Sequence, residues 1–203
     1  MKRKNGDDDV FGFGQLIGIL KKNPKKIVFT EGEDPRILEA SSRLLASYFL
    51  HPILIGYEKR IADAAEESGF NIRGAEIIDP EKFDKIDEMV ELYCELRKKK
   101  GVTPDQAREI LKQANYFGTM LVKMGFADAL LGGATYSTAD TVRPALQLIK
   151  TKPGNNLVSS CFILVRPSAT GDNEVLAMGD CAININPTED DLVEIAGETA
   201  KCA

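Results

Sequence analysis

The alternation of short apolar runs with helical segments constrains the fold of this chain more than any other sequence feature. Three runs rich in β-branched residues predict buried strands, at 27–30, 52–56 and 75–79. Asp34 as a cap and Pro35 at the first turn predict the start of a helix after the first strand. Gly69 predicts the end of a helix over 58–68. The alternation therefore predicts parallel βαβ units with right-handed crossovers.

The pattern of apolar residues changes near Gly154. Before that point the pattern predicts three helices, one strand and a last helix, at about 83–100, 103–113, 116–124, 127–131 and 137–150. Residues 152–156 resemble a linker, and longer apolar runs follow them. We expect a first α/β domain over 1–153 and the beginning of a second, incomplete one over 154–203.

Composition and charge exclude several classes of protein. The chain has 26 Lys and Arg against 31 Asp and Glu, a formal net charge of −5, so a general nucleic-acid coat is disfavoured. Four widely spaced cysteines and the single His51 disfavour a zinc site and a Cys–His nucleophile, and free thiols suit a reducing cytosol. Residues 1–9 lack a signal peptide's apolar core, and the run 10–20 is too short to span a bilayer. The prediction is a cytoplasmic protein.

Arg97 is the first candidate for a functional residue. Helical spacing from Ile86 through Tyr93 places Arg97 on the apolar face of its helix. Such an arginine either extends its charge to water at the helix end or points into a cleft. Lys98–Lys100 beside it are either a solvated helix end or a source of positive potential at the mouth of that cleft.

The second candidate is the segment from Leu130 to Arg143. A strand ends in Gly132 and Gly133, and Ser137 and Thr138 can cap the next helix, so backbone N–H groups converge where an anion could bind. The alternative is an ordinary strand–loop–helix turn, since neither a Walker loop nor a G-x-G-x-x-G motif is present. Arg143 borders an apolar stripe, so it is either partly buried or free in solvent; the stripe residues are Val142, Leu146 and Ile149.

The remaining candidate is the acidic cluster of Glu31, Glu33 and Asp34 at the end of the first strand. Open α/β sheets bind ligands at this edge. Because no second carboxylate cluster and no group of histidines accompanies it, we do not predict a metal site there.

Four sequence blocks together resemble the phosphate acetyltransferase (phosphotransacetylase) family. They lie in order at 26–36, 114–122, 127–147 and 179–187, and the similarity runs from about residue 12 to residue 203. The resemblance implies an α/β three-layer sandwich with a parallel sheet, of the isopropylmalate-dehydrogenase-like and phosphotransacetylase type. It also implies an acyltransferase that moves an acetyl group between acetyl phosphate and coenzyme A, with no metal and no tightly bound organic cofactor. A homodimer with no nucleic-acid or membrane partner is expected.

Specific roles follow from the same resemblance. Arg143 matches a family arginine and is expected to be catalytic, whereas Arg97, Ser137 and Thr138 are expected to bind substrate. Guanidinium groups suit both the phosphate and the developing oxyanion of an acyl transfer.

The family's chain continues beyond the point matched by Ala203, with a serine–arginine loop and an aspartate base in that part. This departure leaves two alternatives to acetyl transfer. One is a phosphate butyryltransferase-like enzyme, and the other is a non-catalytic module that binds coenzyme A or another anion.

Overall fold

The computed structural model describes residues 14–167 and 173–202 of the chain. These residues form a larger compact unit, Ile19–Lys150, and a smaller one that includes 151–167 and 173–202. The domain boundary near Gly154 stays a prediction. The helices of the described residues are, in chain order, α1 (Gly14–Lys22), α2 (Pro35–Ser47), α3 (Glu58–Ser68), α4 (Ile86–Leu96), α5 (Pro104–Leu111), α6 (Ala114–Lys123), α7 (Thr138–Leu148) and α8 (Glu189–Cys202).

A four-stranded parallel sheet forms the centre of the larger unit. Its strands are β1 (Lys25–Phe29), β2 (Leu50–Ile55), β3 (Glu76–Ile78) and β4 (Ala129–Leu131). The strand order is β3-β2-β1-β4, and every neighbouring pair is parallel. The predicted parallel βαβ arrangement is therefore confirmed, with β1 and β2 in the interior of the sheet where their apolar runs are buried on both faces.

Alternate residues along the strands point into two separate apolar layers. Val28 and Ile53 pack on one side with side chains from α4, α5, α6 and α7, whereas Phe29 and Leu54 pack on the other side with α2 and α3. Successive strand residues face opposite sides of a sheet, so both faces need a cover of helices. This arrangement confirms the predicted three-layer α/β sandwich.

Helix ends follow the local signals in the sequence. The Asp34 carboxylate caps α2 by accepting from the Arg36 backbone N–H, and Pro35 occupies the first turn. Thr103 and Gln106 form a reciprocal capping box at the start of α5. Gly69 ends α3 in the left-handed region, with φ of 72°. Such local signals are readable in the sequence because they satisfy backbone groups within one turn.

The apolar stripe predicted for α7 is wrong. Leu146 and Ile149 are 46% and 39% exposed, whereas Pro144 and Leu148 are the buried residues of this helix. The reason is that α7 packs on α6 through the face that contains Pro144 and Leu148, which are four residues apart.

The smaller unit contains a two-stranded antiparallel sheet and α8. Its strands are β5 (Cys161–Pro167) and β6 (Asn173–Gly179). A Cβ atom on Gly179 would lie 2.6 Å from Thr199 Oγ1, so α8 approaches β6 closely at this glycine. Apolar side chains of both strands remain exposed, among them Phe162, Val175 and Met178.

The four cysteines of the chain are free thiols in the structure, as expected. No helix among the described residues is long and apolar enough to cross a membrane.

We predict that Gly32→Ala lowers the free energy of unfolding by about 1–3 kcal/mol because it overpacks a tight contact. The new Cβ would lie 2.7 Å from the Ile55 carbonyl oxygen and 2.9 Å from Ile61 Cδ1, and a backbone atom cannot move aside cheaply. Urea unfolding followed by circular dichroism measures the change.

Gly197→Ala is the control for this prediction. Gly197 lies inside α8 with open space around its Cα, so alanine there should be neutral or stabilise by about 0.5–1 kcal/mol. Equal unfolding energies for Gly32→Ala and the wild type would contradict the close-packing argument.

Candidate functional site

Glu31 lies immediately after β1 and holds the loop that follows β4. Its Oε2 accepts from the Gly133 backbone N–H at 3.0 Å. Its Oε1 accepts from the backbone N–H groups of Thr135 and Tyr136, and the Thr135 hydroxyl donates to the same oxygen at 2.9 Å. The loop's N–H groups therefore do converge, but the anion that they bind in this structure is the chain's own carboxylate.

The environment of Glu31 favours its charged form. Burial by itself would raise the pKa of the Glu31 carboxyl, but hydrogen bonds from Thr135 and Gly133 outweigh this and hold the pKa below its ordinary value. A carboxylate of this kind stays ionised at neutral pH, so it is a poor proton acceptor.

Arg36 contacts the same loop through a carbonyl group. Its Nη2 donates to the Ala134 carbonyl oxygen at 2.7 Å. The guanidinium is itself oriented by Asp34, with Nε–Oδ1 and Nη2–Oδ2 distances of 2.9 and 2.7 Å. This pairing with Arg36 holds the pKa of the Asp34 carboxyl below its usual range. The residues of the acidic cluster therefore have separate structural roles: Glu31 bonds the loop after β4, and Asp34 caps α2.

Ser137 and Thr138 begin the helix that carries Arg143. The Ser137 hydroxyl donates to Asp140 Oδ2 at 2.7 Å and accepts from the Asp140 backbone N–H at 3.2 Å, so Ser137 caps α7. Thr138 is exposed in the first turn of α7. The capping role predicted for Ser137 is confirmed, and substrate contact for both residues stays a prediction.

Pro144 lies in the interior of α7, and Asn115 compensates for it. A proline has no N–H, so the carbonyl four residues earlier, that of Asp140, loses its helical donor. The Asn115 side-chain Nδ2 donates to that Asp140 carbonyl oxygen at 2.8 Å. The start of α7 is therefore bonded to the start of α6.

Arg143 is one turn beyond Asp140, and its side chain is exposed. Its side chain is 58% exposed, and Nη1 lies 3.7 Å from Asp140 Oδ1. Of the two alternatives for Arg143, the structure has the exposed one, because the face of α7 with Pro144 and Leu148 turns to the core. A long, exposed ion pair contributes little, about 0–1 kcal/mol, so Arg143 can leave Asp140 for a stronger anion.

Arg97 ends α4 and lines a cavity of about 550 Å³. Its Nε is buried and has no hydrogen-bond partner among the described residues. Four lysines surround the same cavity, with a single carboxylate residue, Glu95, in its lining; the lysines are Lys98, Lys99, Lys100 and Lys150. The lining of the cavity therefore concentrates positive charge in a chain of net charge −5. Here the triple lysine belongs to the cleft and is not only a solvated helix end.

Two tyrosines link the Arg97 cavity to α6. Tyr93, one turn before Arg97, is buried and meets the Tyr116 ring edge to face at 6.4 Å between centroids. The Tyr116 hydroxyl donates to Oε1 of Gln147, a cavity residue, at 3.3 Å. Burial raises the pKa of the Tyr93 hydroxyl, and the positive charge of Arg97 nearby opposes that rise. The tyrosines thus fix the apolar wall behind the basic groups.

The structure brings some of the predicted residues together and separates others. Ser137, Thr138 and Arg143 share α7 and its cap, whereas Arg97 lies in the basic cavity, whose lining includes Gln147 but not Arg143. Sequence reasoning missed the loop contact of Glu31 and the helix contact of Asn115. A signal existed for Asn115, since a proline inside a helical pattern requires a replacement donor.

Among the described residues, carboxylate, thiol and imidazole groups do not form a metal site. In the part of the chain that the structure describes, no three or more His, Cys, Asp or Glu side chains are grouped as ligands for a metal ion.

These features define an α/β domain with a basic cavity, and the lining of that cavity includes Arg97. The chain belongs to the phosphate acetyl/butaryl transferase family, whose sequence profile matches residues 13–203.

Relatives and solved structures of the family match most of this chain. It is 49% identical over 178 residues to a phosphate acetyltransferase of Bacillus subtilis, covering 88% of this chain and 53% of that protein. It is 45% identical to one of Thermoanaerobacterium thermosaccharolyticum, covering 93% and 57%.

A solved phosphotransacetylase from Staphylococcus aureus superposes with a TM-score of 0.82 at 41% identity, covering 93% of this chain and 57% of that one. One from Streptococcus pyogenes gives a TM-score of 0.82 at 43% identity, covering 94% and 59%. The chain therefore spans little more than half the length of the relatives that it matches.

We predict that Asn115→Ala lowers the free energy of unfolding by about 1–2 kcal/mol, because the Asp140 carbonyl loses its donor. In a Pro144→Ala background, residue 144 regains an N–H that can donate to that carbonyl. The cost of Asn115→Ala should then fall by about half or more, as a double-mutant cycle in urea would show.

Strict additivity of the two substitutions would contradict the proposed compensation. The coupling energy from the cycle does not contain the packing lost with Pro144 or the bond from the Tyr116 N–H to Asn115 Oδ1. Each of these losses occurs equally in the two parallel steps of the cycle.

Proposed function

We propose that the protein takes part in acyl transfer between acetyl phosphate and coenzyme A, with this chain supplying anion-binding groups for both substrates. The observation that carries the proposal is the cavity lined by Arg97 and four lysines. A guanidinium and several ammonium groups around one cavity favour a ligand that carries phosphate groups. The names of the relatives supply the reaction.

Coenzyme A suits the charged and the apolar residues that line the Arg97 cavity. Its phosphate groups need planar, multiple donors, which a guanidinium provides, and several further cations, which the four lysines provide. Its apolar parts would contact the cavity's leucines, Leu96 and Leu146.

Arg143 is proposed to act on the transferring group. The coenzyme A thiolate attacks the acetyl carbonyl, a sulfur–carbon bond forms, and the carbon–oxygen bond to phosphate breaks with its electron pair leaving on the phosphate. A guanidinium at the leaving phosphate or the developing oxyanion stabilises charge that grows in the transition state. Ser137 and Thr138, at the start of the same helix, are proposed as weaker contacts to the acyl phosphate.

Direct transfer of this kind needs no metal and no resident organic cofactor. We further infer a homodimer in the cytoplasm, supported by the family resemblance and by the four free thiols. Butyryl phosphate is the alternative acyl donor, since the family description covers both acyl classes.

A second function follows from the share of the relatives that the chain covers. It spans 53–57% of the curated relatives from Bacillus subtilis and Thermoanaerobacterium thermosaccharolyticum. The described residues could therefore act as a coenzyme A or anion-binding module without turnover. Incubating the purified chain with acetyl phosphate and coenzyme A separates the two proposals: thioester formation supports the enzyme, and calorimetric binding of coenzyme A without thioester supports the module.

We predict that Arg97→Ala weakens coenzyme A binding by about 1.5–3 kcal/mol, which is roughly tenfold or more in dissociation constant, because it removes charge-assisted hydrogen bonds. Titration calorimetry measures the change. Arg43→Ala is the matched control, since Arg43 is 79% exposed on α2 and pairs only with Glu39 among the described residues. Wild-type affinity in the Arg97 variant would refute the assignment of this cavity.

Arg143→Ala should likewise lower the affinity for coenzyme A or for acetyl phosphate by roughly tenfold or more. Titrating each substrate separately shows which of them Arg143 contacts. If both affinities equal those of the Arg43→Ala control, Arg143 has no part in substrate binding.

A further inference from the structure

The motif over residues 31–36 has no role in the proposed acyl transfer, yet it makes the densest set of polar contacts with the loop after β4. Glu31 binds N–H groups on both sides of Ala134, and Arg36 binds the Ala134 carbonyl. The loop backbone is thus bonded to the Glu31 carboxylate through its N–H groups and to the Arg36 guanidinium through the Ala134 carbonyl group. We call Glu31 and Arg36 the loop clamp.

The clamp determines what the loop can offer to a substrate. A ring of converging backbone N–H groups is a ready site for a phosphate. In this structure the Glu31 carboxylate fills that ring, and its charge would repel a second anion placed there. The loop therefore acts on a substrate by setting the position of α7, and not through its own amides.

The residues after the clamped loop lead directly to Arg143. Ser137 caps α7, and Asp140 in its first turn is bonded to Ser137 and, through its carbonyl, to Asn115. Arg143 lies one turn further along the same helix. A shift of the loop would therefore move the cap and the first turn of α7, and with them the guanidinium.

We propose that Glu31 is a positioning residue: its carboxylate replaces a bound anion in the amide ring of the loop and so fixes Arg143 for the anionic substrate. The proposal rests on the proposed function for the role of Arg143. The contact requires a carboxylate, because both oxygens accept from N–H groups. A glutamine would place an NH₂ donor against one of those N–H groups.

The test is a double-mutant cycle on substrate affinity. Glu31→Gln, Arg143→Ala and the double variant are titrated with coenzyme A and with acetyl phosphate. We expect Glu31→Gln to lower the affinity for the same substrate that Arg143→Ala affects, by at least fivefold. In the Arg143→Ala background, Glu31→Gln should change that affinity less than twofold. Equal losses of affinity in both backgrounds would overturn the proposal, because a residue that does not act through Arg143 lowers the affinity by the same factor with and without it.

Glu33→Gln is the charge-matched control, since Glu33 lines the same cavity as Glu31 and the structure gives it no bond to the loop among the described residues. Its affinities should stay within twofold of wild type. An effect equal to that of Glu31→Gln would overturn the proposal by showing that net charge alone matters.

A milder pair of variants guards against a Glu31→Gln protein that does not fold. Thr135→Val removes the hydroxyl that donates to Glu31 Oε1, whereas Thr135→Ser retains it. We expect a two- to fivefold loss of affinity in the valine variant, absent in the Arg143→Ala background, and recovery in the serine variant. Wild-type affinity in the valine variant would count against the clamp.

Amide hydrogen exchange of Gly133, Thr135 and Tyr136 tests the clamp without reference to the reaction. Protection in the wild type that is lost in Glu31→Gln or reduced in Thr135→Val supports the proposal. Unprotected amides in the wild type would overturn it even in an active protein. Protected amides in a protein that binds neither substrate would instead overturn the proposed function while the clamp remains.

Discussion

The hydrogen bonds of Glu31 are the contact on which the arrangement of the candidate site depends. A buried carboxylate at the end of a central strand must be compensated, and the N–H groups of the loop after the adjacent strand provide this compensation. The same bonds hold the loop at four of its groups, the N–H groups of Gly133, Thr135 and Tyr136 and the Thr135 hydroxyl. Because β1 and β4 are parallel neighbours, their carboxyl ends lie at one edge, and a single side chain can connect them.

A second constraint acts on the helix that starts from this loop. Pro144 breaks the hydrogen-bond ladder of α7, and the amide of Asn115 restores the lost bond from another helix. A local defect is thereby turned into a tertiary contact that fixes α7 against α6. Pro144 and Leu148 lie on the buried side of α7, whereas Arg143 lies in solvent within reach of Asp140.

The electrostatics of the larger unit are uneven in a way that suits anionic ligands. The chain as a whole is acidic, and most cations of the described residues that form ion pairs do so at the surface. Arg97 and the surrounding lysines concentrate positive charge around one cavity. A local concentration of positive charge raises the affinity for anions even when the whole protein is acidic.

The sequence by itself determined the α/β class, the parallel strands and most helix ends, because these follow from apolar periodicity and from caps that act within one turn. It also singled out Arg97 and Arg143 and the cap at Ser137. Only the tertiary structure decided that Glu31 fills the amide ring, that Asn115 serves Pro144 and that α7 buries Pro144 and Leu148. Those contacts join residues 25 to 105 positions apart, so their partners depend on how the layers pack and leave no local period or spacing in the sequence.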